Sequence, residues 1–390
     1  MKSLVLLIFA LPLLAMEPPS SPEIKIEAWV NGELKLLTRA EVKSWLAETE
    51  PVKETSIERN PWPTFELIEG KLPGLYLKSR SVTYLPEKRQ ILALPYKKKY
   101  NLTIDLDGQK TTRKAVDYSG YIGSAKVGGF SYHFPAWAKN IAVTNLKTGE
   151  VSLIKPMRWS PQLRCGALAG NGKIYMGAMN KSGSLRSYDP AADKLENVKY
   201  HPDRNYNQGR FAAASDGDGN AIFAPWYGDK IDVVRSDGTI EELPGSAESF
   251  HVDPGAVRHS GGCYDPESNR VVFFPRRSNG ILIVEGGAKS HSSHKLPDDF
   301  LAKYGDQSKY FDCFVGPDGL VYGVPWSVPA LARINPETFE IEWREYPGMA
   351  VPEGYSKGNG QYTRAIVIGT EAYLIPGGNP QAAKLKFNSK

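Results

Sequence analysis

GPDGLVYGVPWSVPALARINPETFEIEW, residues 316–343, alternates short apolar runs with turns rich in Gly, Pro, Asp and Asn. Its first apolar run contains β-branched and aromatic residues and ends at Pro325. Because proline has no backbone N–H to contribute to a sheet, Pro325 marks the place where a strand leaves its neighbour. A second apolar run and an alternating run, FEIEW, follow after one turn each, so the stretch predicts three short antiparallel strands.

The same phrase recurs along the chain and is therefore a repeat. In each copy a run of small residues precedes a turn, an apolar run ends at an anchor residue, and a polar alternating run comes last. Neighbouring anchors are 40 to 51 residues apart, and they are Pro95, Pro135, Ala178, Pro225, Pro275, Pro325 and Pro376. Four antiparallel strands in about 40 to 50 residues are typical of a propeller blade. The sequence therefore predicts an all-β fold, a seven-bladed β-propeller with four antiparallel strands per blade.

The last copy ends after its third strand, so one strand of blade 7 must come from elsewhere. TFELIEG, residues 64–70, has the strand pattern of TFEIEW in copy six, and we expect it to close the last blade. Closure of this kind removes exposed strand edges. The predicted domains are a signal peptide at residues 1–16, an appendage and linker at residues 17–63, and the propeller at residues 64–390.

The N-terminal residues resemble a secretory leader. A basic Lys2 precedes an apolar run that is too short to span a bilayer. Beyond it, two alternating runs flank Asn31 and Gly32, which predicts a small hairpin, and a capping box at Thr38 predicts a short helix. We expect the mature protein to be secreted or periplasmic, with no membrane span.

Charge and cysteine content exclude several classes of protein. The net charge of +5 is mild, and no long block of Lys and Arg indicates a nucleic-acid partner. Cys165, Cys263 and Cys313 lack the spacing of a redox or zinc site. We expect three thiols, because Cys263 and Cys313 lie on the inner strands of adjacent blades, which should hold them too far apart for a disulfide. No metal or cofactor is predicted, because no fingerprint for one is present.

One face of the predicted disc collects basic and aromatic residues. The loops that lead into the inner strand and the loops that follow the second strand lie on the same side of a propeller, so we expect their side chains to converge at the axial mouth. The basic residues predicted there, near the start of the inner strands, are Arg80, Arg164, Arg210, Lys309 and Arg364. The residues predicted to join them are Trp137, Trp226, Tyr227, Arg276 and Trp326. Guanidinium groups among aromatic platforms favour an anionic or carbohydrate ligand, while packing between blades is the alternative for each residue.

Two further functions stay open at this stage. A polysaccharide lyase acting on uronate-containing glycans would need a base against the C5 proton and a cation for the carboxylate, and the candidate bases are His201, His251 and His259. A protein-binding scaffold would need neither group. We expect an anionic small molecule or a polysaccharide as the partner, a protein partner as the alternative, and a monomer.

The pattern DGLVYGVPW followed by INPET resembles secreted propellers of the broad YncE-like, SMP-30-like and NHL-like kind, over roughly residues 64–390. This resemblance implies the architecture. Lactonases of the SMP-30 type bind a divalent metal at the axis, and no matching ligand set stands out on the inner strands here. Some seven-bladed propellers are polysaccharide lyases that use His, Arg and Tyr on one face, and the predicted set resembles theirs in composition.

Overall fold

The structure of the protein is a computed structural model, which describes residues 61–70, 81–155, 162–178, 185–198, 209–226, 230–244, 258–350 and 360–388, together with the backbone of three N-terminal strands. The chain divides into two compact units, Met1–Trp62 and Pro63–Lys390. Within the described residues, no helix has the length and apolar character needed to cross a membrane.

The first unit contains a three-stranded antiparallel sheet. Its central strand, Lys25–Val30, pairs with Glu33–Thr38 and with Leu6–Leu7. The two longer strands are those expected for the hairpin, whereas Leu6–Leu7 lies within the segment expected to be a leader. The helix predicted after Thr38 falls outside the described residues.

The second unit is a seven-bladed β-propeller, as predicted, and each blade has four antiparallel strands, A to D, with strand A nearest the axis. In the order A to D, the strands of blade 1 are Val82–Leu85, Gln90–Ala93, Tyr100–Asp105 and Lys110–Ala115. Those of blade 2 are Tyr121–Val127, Phe130–Pro135, Ile141–Asn145 and Val151–Ile154. Those of blade 3 are Leu163–Leu168, Ile174–Ala178, Leu185–Asp189 and Lys194–Val198. Those of blade 4 are Arg210–Ser215, Ala221–Pro225, Asp232–Val234 and Ile240–Glu242. Those of blade 5 are His259–Asp265, Arg270–Pro275, Gly280–Glu285 and His291–Lys295. Those of blade 6 are Tyr310–Val315, Val321–Pro325, Ala330–Ile334 and Ile341–Glu345. The strands of blade 7 are Tyr362–Ile368, Glu371–Pro376, Ala383–Lys386 and Thr64–Leu67.

Blade 7 joins the two ends of the propeller unit. Thr64–Leu67 pairs antiparallel with Ala383–Lys386, and the Tyr346 hydroxyl donates to the carbonyl of Pro63 at 2.7 Å. One α-helix, Asp298–Tyr304, connects blade 5 to blade 6, and its Phe300 and Tyr304 are buried. The anchor residue of the repeat is the last residue of strand B in blades 2 to 7, which confirms the role of proline as a strand end.

A β-bulge near the start of strand A recurs from blade to blade. Between strands A and B the register shifts by one residue in blades 2 to 7. The extra residues on strand A are Ile122, Arg164, Phe211, Ser260, Phe311 and Thr363. A bulge leaves its extra residue without a partner in the ladder and changes the direction of its side chain, so these six residues form a set with a shared position.

The core lies between neighbouring blades, and most of these interfaces are apolar. Between blades 1 and 2, however, Thr83, Ser131, His133 and Thr144 are all fully buried. His133 Nε2 lies 2.9 Å from Thr144 Oγ1. Burial, together with the positive charge of Arg364, lowers the pKa of His133 to about 3, so this histidine is neutral in the folded protein near pH 7.

Candidate functional site

The candidate site is the axial mouth, where the bulge residues meet the residues that follow the anchors. Phe211 of blade 4 and Phe311 of blade 6 have ring centroids 5.7 Å apart, although blade 5 lies between them. They meet because the bulge residue of blade 5 is small: it is Ser260, whose hydroxyl bonds to the backbone carbonyls of Tyr310 and Phe311. We call the buried group that results the axial cluster, and it consists of Tyr96, Ile122, Ala136, Phe211, Trp226, Phe311 and Trp326.

Arg276 lies against the aromatic part of the axial cluster. Its guanidinium carbon is 5.3 Å from the ring centre of Trp226, 5.2 Å from that of Trp326, 5.3 Å from that of Phe311 and 6.0 Å from that of Phe211. Trp226, Arg276 and Trp326 follow the anchor proline in three consecutive blades, so the repeat itself stacks a guanidinium between two indoles. Contacts of this kind stabilise a cation by about 0.5–2 kcal/mol each.

A second group at the mouth contains Tyr96, Trp137 and Arg164. The Tyr96 hydroxyl accepts a hydrogen bond from Trp137 Nε1 at 2.8 Å and another from Arg164 Nη1 at 2.9 Å. The guanidinium of Arg164 lies over the Trp137 ring, 5.1 Å from its centre. Arg164 is 5% exposed, whereas Trp137 is 49% exposed and so offers aromatic surface to a ligand.

Backbone hydrogen bonds hold the mouth in shape. The Arg258 N–H donates to the Trp226 carbonyl at 2.9 Å, and the Arg276 N–H donates to the Arg258 carbonyl at 2.7 Å. The Lys309 N–H donates to the Arg276 carbonyl at 2.6 Å, and the Trp326 N–H donates to the Lys309 carbonyl at 2.8 Å. These four hydrogen bonds run through blades 4, 5 and 6 and fix the spacing of Trp226, Arg276 and Trp326.

Two of the predicted basic residues, Arg210 and Lys309, are bound by nearby protein groups. Arg210 precedes the bulge by one residue, and its Nε and Nη2 contact Oδ2 of Asp232, which is fully buried. Lys309 precedes the bulge by two residues, and its Nζ donates to the carbonyls of Gly305 at 2.7 Å and Gln307 at 3.3 Å. Burial lowers the pKa of Lys309 to about 8. Both side chains are buried in structural contacts.

The other two described basic residues, Arg364 and Arg164, occupy two further positions relative to the bulge. Arg364 follows the bulge by one residue, and its Nε lies 3.9 Å from Oδ2 of Asp312 in the neighbouring blade. Among the four basic residues that the structure describes, Arg164 alone is a bulge residue. These four residues, expected to share one place near the start of the inner strand, thus occupy four different places along it, and a shift of one residue turns a strand side chain to the other face.

Four predicted residues cannot be placed, because Arg80, Tyr227, His201 and His251 lie outside the described residues. The third candidate base, His259, is fully buried between strands. Burial lowers its pKa to about 4, and the carbonyls of Gly280 and Pro225 act in the opposite direction.

Sequence reasoning missed Phe211 and Phe311, which form the centre of the axial cluster. A signal for them exists, since every bulge residue lies 13 to 15 residues before its anchor. Within the described residues, no group of three or more His, Cys, Asp or Glu side chains could hold a metal ion. The site is therefore described by its cations and its aromatic surface.

Comparisons with known proteins agree on the fold. No family model matches the chain, and no curated protein sequence matches it. The chain is similar to virginiamycin B lyase from Staphylococcus aureus, with a TM-score of 0.64 and 14% identity, over 83% of this chain and 100% of that chain. A catalytically inactive variant of that lyase with quinupristin gives a TM-score of 0.63 and 15% identity, again over 83% and 100%. The extracellular domain of a putative hybrid two component system from B. thetaiotaomicron gives 0.59 and 13%, over 84% of this chain and 40% of that chain. At these identities the likeness concerns the propeller architecture alone.

Proposed function

We propose that the protein binds an anionic or carbohydrate ligand at the axial mouth, most simply a sugar that carries a carboxylate. The observation that carries this proposal is the group of Tyr96, Trp137 and Arg164, in which an indole that is 49% exposed lies against a buried guanidinium. An exposed indole is a platform for the apolar face of a sugar ring. A cation beside it complements an acidic substituent.

The chemistry of Tyr96 supports this proposal. Its oxygen accepts two hydrogen bonds, from Trp137 and Arg164, and a phenol oxygen has two lone pairs. The hydroxyl hydrogen is thereby oriented, and no described residue accepts it. A ligand oxygen can accept that hydrogen without displacing either bond.

Arg276 supplies a second positive charge to the same mouth. Its four aromatic neighbours hold the guanidinium in place before any ligand arrives, which reduces the entropy lost on binding. Arginine can form paired hydrogen bonds with a carboxylate, so it favours uronate over a neutral sugar. The leader-like residues 1–16 are consistent with a secreted or periplasmic protein that meets such glycans outside the cytoplasm.

The test compares an oligomer of glucuronic or galacturonic acid with the corresponding neutral oligosaccharide by calorimetry. We expect uronate binding that weakens as salt rises, and we expect Trp137→Ala and Arg276→Gln each to weaken it by about 1–3 kcal/mol. The matched controls are Phe130→Ala and Arg89→Gln. Phe130 is an exposed aromatic at the first position of its strand B, and Arg89 is an exposed arginine in the turn before strand B of blade 1, so both lie at the strand end opposite the anchor. If neither glycan binds, or if the control variants weaken binding equally, the proposal is wrong.

A uronate lyase is the second candidate, since the chain shares its fold with an enzyme named as a lyase. Such an enzyme needs a base that reaches the substrate, and the fully buried His259 has no exposed surface from which to do so. The same uronate incubations report on this candidate, because elimination gives an unsaturated product that absorbs ultraviolet light. Binding without this product supports a recognition module, and a protein ligand without any glycan binding supports the scaffold alternative.

A further inference from the structure

Two thiols from different blades lie in contact near the axis. Cys263 of blade 5 and Cys313 of blade 6 have their Sγ atoms 3.3 Å apart. The expectation that adjacent inner strands hold these residues too far apart is therefore wrong. The reason is that strand A of blade 5 approaches that of blade 6 very closely: a Cβ atom added to Gly261 would collide with Asp312. Cys263 lies two residues beyond Gly261, on the same side of the strand.

The surroundings of the pair favour a covalent bond over a metal. Cys313 packs in the apolar core between blades 5 and 6, and its Sγ is 3.3 Å from the carbonyl of Val272. A metal would need further ligands, and the described residues supply no third His, Cys, Asp or Glu at this place. Cys263 is partly exposed, whereas Cys313 is 6% exposed, so a reagent reaches Cys263 first.

We propose that Cys263 and Cys313 are the site of a disulfide bond that links the inner strands of blades 5 and 6. The oxidant is a disulfide reagent, either a thiol–disulfide oxidoreductase or oxidised glutathione. The Cys263 thiolate attacks one sulfur of that disulfide, forms a mixed disulfide and releases one thiol. The Cys313 thiolate then attacks Cys263 Sγ and displaces the second thiol. The protein loses two electrons and two protons, and the reagent disulfide gains them as two thiols.

Access and acidity set the conditions for this reaction. Although Cys263 is partly exposed as a residue, desolvation of its thiol among the packed strands is the main cause that raises its pKa, and the contact with Cys313 adds to that effect. Little thiolate is present at neutral pH, so we expect slow uncatalysed oxidation and faster oxidation at higher pH or with an oxidoreductase. Once formed, the bond closes a loop between residues 50 apart and joins the blade of Arg276 to the blade of Trp326.

The test uses the purified full chain, kept reduced or treated with oxidised glutathione at mildly alkaline pH. Alkylation under denaturing conditions should modify three cysteines in the reduced sample and one, Cys165, in the oxidised sample. Peptide mapping without reductant should recover Cys263 joined to Cys313. Oxidation should also raise the midpoint of thermal unfolding by about 5 °C, as the loop length and the size of the domain imply.

Two variants make the outcome specific. Cys165→Ser should keep both the joined peptide and the thermal shift, because Cys165 belongs to the core of blades 3 and 4. Cys263→Ala should lose both and leave Cys313 open to alkylation. Three modified cysteines after oxidation, a glutathione adduct on Cys263 without the joined peptide, or a disulfide that involves Cys165 would each overturn the proposal, and none of these readouts depends on ligand binding.

Discussion

Replacing Asp232 by asparagine should destabilise the propeller strongly, whereas replacing Asp232 together with Arg210 should not. The Arg210 side chain is 2% exposed and that of Asp232 is 0% exposed. Two nitrogens of Arg210 contact one carboxylate oxygen of Asp232, and the arginine packs against Gly177 in the neighbouring blade. Asp232→Asn removes the charge that compensates a buried guanidinium.

The expected magnitude follows from that burial. Loss of one partner of a buried ion pair costs about 3–5 kcal/mol, because an uncompensated charge remains inside the protein. The double replacement Arg210→Met and Asp232→Val removes both charges with only a modest change in volume, and it should be neutral or stabilising by about 1–4 kcal/mol. The exposed pair Arg89–Asp107, with side chains 57% and 65% exposed, is the control, and Asp107→Asn should cost less than about 1 kcal/mol.

Urea denaturation followed by tryptophan fluorescence measures the free energy of unfolding of each variant. Calorimetry with the uronate oligomer should show that the double variant of Arg210 and Asp232 binds with unchanged affinity, since this pair lies outside the axial cluster. A cost for Asp232→Asn no larger than that for Asp107→Asn would refute the ion pair. Loss of ligand binding in a stable double variant would show that Arg210 contributes to the binding site.

Three further predictions concern stability. Burial lowers the pKa of His259 to about 4, so as pH falls from about 6.5 the unfolded chain takes up a proton before the folded protein does. The free energy of unfolding therefore falls by up to about 1.4 kcal/mol per pH unit. His259→Gln should reduce that slope in urea denaturation series between about pH 6.5 and 4.5. Deletion up to Asn60 should leave thermal unfolding of the propeller nearly unchanged, whereas deletion up to Gly70 removes the closing strand and should cause aggregation; equal melting curves would contradict this role. Gly261→Ala places a Cβ atom against Asp312 and should cost about 1–3 kcal/mol in urea denaturation, and an unaffected variant would show that the two inner strands are less close than described.

The number of blades could be predicted because the repeat is carried by chemistry that is visible in the sequence. Prolines such as Pro225 and Pro325 end strand B, since they cannot donate to the ladder, and the turns between strands use Gly, Asp and Asn. The partner of Ala383–Lys386 could also be inferred from pattern, because TFEL repeats the strand pattern of another blade.

The site could be predicted only in part. Trp226, Arg276 and Trp326 follow their anchors directly, so a fixed reference exists for them and they come together. Arg210 and Lys309 lie on the other side of a turn of variable length, and the bulge adds one more residue. Since side chains alternate along a strand, an uncertainty of one residue is enough to exchange a ligand contact for a buried one.

The thiol pair shows a different limit. Cys263 and Cys313 each lie eight residues before a valine of the following apolar run, Val271 or Val321, and this equal spacing predicts equivalent positions on their strands. Relative to the bulge, however, Cys263 lies one residue farther along its strand. Two residues in equivalent positions point the same way around the ring, whereas an offset of one residue turns them toward each other. Distances between blades also depend on side-chain size at the interface, and Gly261 is the residue that lets these strands approach.

The pairing of Thr64–Leu67 with Ala383–Lys386 has a consequence for synthesis of the protein. The first of these strands leaves the ribosome about 300 residues before its partner, which corresponds to roughly 15–60 s at ordinary rates of translation. During that time the nascent chain carries an unpaired strand with an aromatic residue, Phe65, and blades 1 to 6 can form before the ring closes. A circular permutant that moves residues 64–70 behind Phe387 would abolish this delay. In the native order, the ring can close only after Ala383–Lys386 has been synthesised, because that strand is the partner of Thr64–Leu67.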